Sequence, residues 1–188
     1  STLEEVRERV DRVKKKLKKL LEEVTEINER SKKEIDEILK ESEDRVRKVK
    51  EDLKRVVKED KDGDRVRKII EEAKKKLDEV LENSERIARE VKKDNDDSNR
   101  EVKRVIEDIE RKLDEIVKKI EDLERKGMDE EVLERVLREL EELTRRVEKE
   151  IRDLLKRIED SSRRVRELAT ESRKKLEDLV REIKERLT

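Results

Sequence analysis

Seven amino acids never occur in this chain of 188 residues: Cys, His, Phe, Trp, Tyr, Pro and Gln. Each absence closes off some chemistry. Without cysteine there are no disulfides, thiolate ligands or thiol nucleophiles, and the sequence carries no mark of a redox compartment. Without aromatic rings there is no platform on which nucleic-acid bases stack. Ordinary usage would place roughly nine prolines and thirteen glycines in a chain this long; it has no proline and two glycines. No apolar run approaches the length of a membrane span, and no signal-peptide pattern opens the chain. The reading is therefore a soluble product with no native location indicated, cytoplasmic if made recombinantly.

Charge dominates what is present. Lys and Arg (56) nearly cancel Asp and Glu (57), and both signs are mixed along every segment, which excludes a basic nucleic-acid footprint. Leu, Val and Ile still supply 52 residues, a larger share than the roughly 20% below which a highly charged chain is read as disordered. A narrow core is affordable.

Gly63 and Gly127 divide the chain into three segments of similar length. In each, apolar residues alternate three and four apart, about 3.5 residues per step, the period of a left-handed coiled-coil seam. Leu3, Val6, Val10, Val13, Leu17, Leu20, Val24 and Ile27 open the first seam. The pattern predicts an all-α fold: a single, elongated, up-down-up antiparallel three-helix bundle over residues 1–188, with helices at about 2–61, 64–126 and 129–187. Sixty helical residues extend about 90 Å, so a rod is expected. Thr2 with Glu5 has capping-box spacing, Asp64 and Asp129 are placed as N-caps, and Met128 is placed to staple onto Leu133. Gly63 and Gly127 suit the left-handed position that ends a helix. Exposed pairs such as Asp36→Lys40, Asp108→Lys112, Glu134→Arg138 and Glu148→Arg152 fit i,i+4 spacing and add about 0.2–0.5 kcal/mol each.

Polar residues interrupt the seams at Ser31 and Ser42, at Ser84, Asn95 and Ser98, and at Ser161 and Ser172. Stacking three equal helices antiparallel pairs position x of the first with about 125−x of the second and x+127 of the third. Ser31 then meets Asn95, Ser98, Ser161 and Ser162, while Ser42 meets Asn83, Ser84, Thr170 and Ser172. Two polar layers are predicted. A shifted register would bury these groups without partners, at about 1–3 kcal/mol each, so they are read as structural residues that set register.

Residues 92–101 contain no apolar side chain. They are read as continuous helix, because Asn95 and Ser98 keep the seam spacing; the alternative is a hinge. Asp94, Asp96 and Asp97 lack the glycine and terminal glutamate of a calcium loop. Phosphate loops and zinc spacings are absent, and every ionisable group falls on a predicted solvent face, where nothing tunes its pKa. No enzyme, catalytic residue, cofactor, metal or small-molecule ligand is predicted.

The equal helices, the glycine turns, the missing amino acids and the Ser/Asn layers together resemble de novo designed helical bundles with buried hydrogen-bond networks. Asn83-Ser-Glu-Arg-Ile-Ala-Arg-Glu-Val is in that idiom. The layout is also similar to a spectrin-type three-helix repeat, but those carry core aromatics. The resemblance implies a scaffold without a native ligand, expected to be monomeric, with no nucleic-acid or membrane partner. The alternative is an interaction module: three helices of a larger homo- or hetero-oligomer, its contact face broadened by Leu21, Leu39, Val57, Ile69, Leu81, Ala88, Ile106, Val117, Leu137 and Leu155.

Overall fold

A computed structural model describes residues 2–59, 63–127 and 129–187; the side chains of Thr2, Leu3 and residues 57–59 are not part of that description. The Thr2–Glu5 box, the Met128 staple and the contributions of Leu3 and Val57 therefore lie outside the described residues. The fold is an all-α three-helix bundle, formed by α1 (Thr2–Glu59), α2 (Gly63–Lys126) and α3 (Glu130–Leu187). No strand occurs among the described residues.

Long helices follow from a chain that carries no proline and only two glycines, since those residues cost about 3 and 1 kcal/mol in a helix interior. Even the stretch poorest in helix formers, residues 92–101, is helical within α2. Val91, Asn95 and Val102 are buried there at spacings of four and seven, so the inward stripe is unbroken while its chemistry changes.

The break before α2 differs from its sequence-based reading. Gly63 is the first residue of α2, whereas α1 ends at Glu59. Gly63 is helical and lacks the positive φ of a left-handed cap, and Asp64 lies in the first turn of α2 instead of preceding it. Its carboxylate still faces the positive helix end, a favourable placement. Gly127 behaves as expected, with φ at 89°, which L side chains adopt only with strain. Asp129 is the N-cap of α3. Its Oδ1 accepts from the Glu131 amide at 3.1 Å, and its carbonyl accepts from the Leu133 amide at 3.1 Å.

The chain groups into two compact units. One comprises Ser1–Glu29 with Asn95–Glu159; the other comprises Arg30–Asp94 with Asp160–Thr188. All three helices contribute to each core. In the first, Val10, Leu17 and Val24 pack with Val102, Leu113, Ile120, Val147, Ile151 and Ile158. In the second, Val46 and Leu53 pack with Ile70, Leu77, Leu176 and Ile183, and a smaller group joins Ile35 to Ala88, Val91 and Val165. Burying each such side chain contributes about 1.5–3 kcal/mol.

Ion pairs read out the register within each unit. In the first, Arg7 meets Glu121 at 2.5 Å and Lys14 meets Asp114 at 2.5 Å, so seven residues forward on α1 is seven residues back on α2. In the second, Lys92 pairs with Asp36 and Lys50 with Asp78 in the same antiparallel sense. α3 runs parallel to α1: Arg166 meets Glu34 at 2.5 Å and Arg173 meets Glu41 at 2.8 Å. Both pairs join positions 132 residues apart, as does Lys16–Glu148 in the first unit.

Candidate functional site

The features that set this interior apart from a plain aliphatic core are its buried polar side chains. Asn28, Ser31 and Asn95 are 3%, 4% and 1% exposed. Ser31 Oγ lies 2.7 Å from Ser162 Oγ, which ties α1 to α3 in the second unit. In the first unit Asn28 Nδ2 donates to Asp96 Oδ1 at 3.2 Å, which ties α1 to α2. Ser98 and Ser161 are half-buried. Ser162 is one of the residues that the alignment of equal helices places near Ser31.

Asn28 was not anticipated. The seam was traced through Ile27, four residues before Ser31, but Ile27 is half-buried and Asn28 is buried. The sequence did carry a signal: Val24, Asn28, Ser31 and Ile35 are spaced four, three and four, which is the regular heptad track, whereas the route through Ile27 needs two consecutive steps of four.

The second level lies wholly in the second unit. Ser42, Asn83, Ser84 and Ser172 line one cavity of about 30 Å³ with Ile35, Ala88, Ala169 and neighbouring aliphatics. Ser84 Oγ lies 3.0 Å from Ser172 Oγ and 3.0 Å from the Val80 carbonyl. Thr170 takes no part, contrary to expectation. It is exposed, and its hydroxyl donates to the Arg166 carbonyl one turn back at 3.1 Å. Thr170 stands two residues from both Leu168 and Ser172, which line the cavity, and so falls on the outer side of α3.

Charged groups close the flanks. Arg166 grips Glu34 with two parallel bonds, Nε to Oε1 at 2.5 Å and a terminal nitrogen to Oε2 at 2.9 Å, the bidentate form that fixes geometry best. That hydrogen bond holds the Glu34 carboxyl below its ordinary value of 4.5 against the opposing effect of burial, and Glu34 in turn raises Arg166. Lys16 lowers Glu148 in the same way. Two of the expected i,i+4 pairs give way to bonds between helices: Asp36 is taken by Lys92 and Glu148 by Lys16. Asp108 pairs with Arg111, while Glu134 and Arg138 pair as expected at 3.7 Å. Positions that flank a seam reach the neighbouring helix as easily as their own next turn.

The acidic run on α2 is also absorbed. Asp96 accepts from Asn28, and Asp97 pairs with Arg100 at 2.5 Å. Among the described residues no group of three acidic side chains is placed to hold a metal ion, and no helix is long and apolar enough to cross a membrane. Chemically, the arrangement consists of hydrogen bonds and ion pairs that join helices within each unit. The chain matches no protein-family model, no curated protein and no solved structure.

Proposed function

We propose that this chain is a designed structural scaffold without native biochemical activity, in which a three-helix core supplies stability and buried Ser and Asn residues select the register. The observation that supports this best is the distribution of aliphatic side chains. Among the described residues none is fully exposed. The residues that would have broadened a partner face are drawn inward instead: Ala88 and Ile106 are buried, and Leu21, Leu39, Leu81, Val117, Leu137 and Leu155 pack against the cores. Docking a further helix would draw on an apolar face left over, and the inward packing of these residues, six of them half-buried, supports the scaffold over the interaction module. The composition and the repeated charge idiom support the design origin.

Light scattering during size-exclusion chromatography tests the scaffold reading. A mass of 22.8 kDa that does not change with concentration is the expected result. A mass at a multiple of that value would favour the interaction module and overturn the monomeric scaffold.

A further inference from the structure

The cavity beside Ser42 joins a small volume to incomplete hydrogen bonding. Its size of about 30 Å³ exceeds the ~10–15 Å³ that one water requires and falls far below the ~150 Å³ of a cavity that takes benzene. Three hydroxyls line it, one from each helix: Ser42, Ser84 and Ser172.

Proton counting then separates the three. A serine hydroxyl has one proton and two lone pairs. Ser84 lies 3.0 Å from the Val80 carbonyl, which can only accept, so its proton goes there. The Ser84–Ser172 bond at 3.0 Å must then be donated by Ser172, which leaves the Ser172 oxygen with acceptor capacity. Ser42 makes no hydrogen bond with any described residue. Thr25, Thr144, Thr170 and Ser84 all donate to the carbonyl four residues back; Ser42 does not. The level therefore holds one hydroxyl donor without an acceptor and one hydroxyl acceptor with room for a donor, both lining a volume large enough for a water.

We propose that this cavity binds a single internal water that accepts from Ser42 and donates to Ser172, so that α1 joins the Ser84–Ser172 pair through solvent. A smaller space of about 10 Å³ shares Ile38, Ser42 and Ala169 with the cavity and is bordered by Glu41, Arg45 and Arg173. The Glu41 carboxylate binds Arg45 at 2.9 Å and Arg173 at 2.8 Å beside that space. Parting one of these exposed pairs costs little, which would let the bound water exchange with solvent. Hydration of the cavity does not depend on whether the chain is a scaffold, and failure of one reading leaves the other standing.

The experiment is water–protein cross-relaxation by NMR on the intact chain, read at the amides and side chains around Ser42 and Ser172, together with an atomic-resolution crystal structure. A long-lived water signal is expected in the wild type, with density in hydrogen-bond reach of both hydroxyls. In Ser42→Val, which removes the donor and fills the space, the signal should vanish while the helical circular dichroism is unchanged. A dry cavity in the wild type, with Ser42 turned onto the Ile38 carbonyl, would overturn the proposal. So would a water signal that persists in Ser42→Val.

Discussion

The Ser31–Ser162 bond permits a quantitative test, because both partners can be removed with almost no change of shape. Ser31→Ala deletes the Ser31 hydroxyl, which is buried and lies 2.7 Å from Ser162 Oγ. A neutral hydrogen bond contributes about 0.5–1.5 kcal/mol net, and a partner left behind in the interior adds a further cost. Each single alanine variant should therefore lose about 1 kcal/mol. Removing both partners strands neither hydroxyl of this pair, so the double variant should lose clearly less than the two single losses added together. The expected coupling is about 1 kcal/mol. Urea unfolding followed by helical circular dichroism reads this directly. With a slope near 3 kcal/mol per molar urea, the upper end of the small-protein range, each single change moves the midpoint by about 0.3 M. Single losses that simply add, within ~0.3 kcal/mol, would mean that the bond contributes nothing to stability and that this polar level is not a coupled unit.

The two glycines should respond in opposite directions. Gly127→Ala places a side chain at φ 89° and should cost about 1–2 kcal/mol; Gly63→Ala, inside α2 with nothing within 4 Å of an added Cβ, should be neutral or stabilising by up to about 1 kcal/mol. Thermal melts of the two variants compare them. Leu77→Ala and Leu113→Ala, both 0% exposed, should each cost about 2–5 kcal/mol, and the half-buried Leu143→Ala clearly less. Unfolding midpoints rank the three. The Glu34 and Glu148 carboxyls are held below 4.5, so their contribution is fully present above that pH and is lost as pH falls through the lowered folded value. Because Glu34 is 38% exposed, the pair stays within the ~0–1 kcal/mol of surface ion pairs. Glu34→Gln should flatten the acid limb of a stability–pH profile slightly and leave the neutral region parallel to the wild type.

Some of this molecule is legible from residue order and some is not, and the division is physical. Helix existence was readable because only Gly63 and Gly127 interrupt a period of about 3.5. Their roles were not equally readable. A glycine can serve a left-handed turn or start a helix, and nothing local separates Gly63 from Gly127 except the acidic residues on either side of Gly63. The facing of Ser31 and Ser162 was accessible because both lie near the alignment that equal helices impose. Thr170 shares the height of Ser172, but height along the axis does not say which side of a helix a residue takes, and Thr170 lies off the seam. Asn28 was passed over because Ile27 is the more hydrophobic neighbour, although Asn28 fits the spacing. Ion pairs such as Lys92–Asp36 depend on which neighbour lies nearer across the groove, a tertiary property that i,i+4 spacing does not encode.

The account turns on one claim, that the polar residues at the seams hold α3 at a single alignment with α1. The chain has no cysteine, so spin labels at Glu37→Cys and Thr170→Cys, both exposed and both in the second unit, report that alignment without competing sites. A slip of one heptad moves a helix by about 10 Å, well within reach of a dipolar distance measurement. The labelled parent should give one narrow distance. A variant carrying Leu or Val at Ser31, Ser42, Ser84, Asn95, Ser98, Ser161 and Ser172 should keep its helicity and give a broadened or multiple distribution. One narrow, unchanged distance in that variant would contradict the claim and assign register to the turns and the aliphatic packing alone.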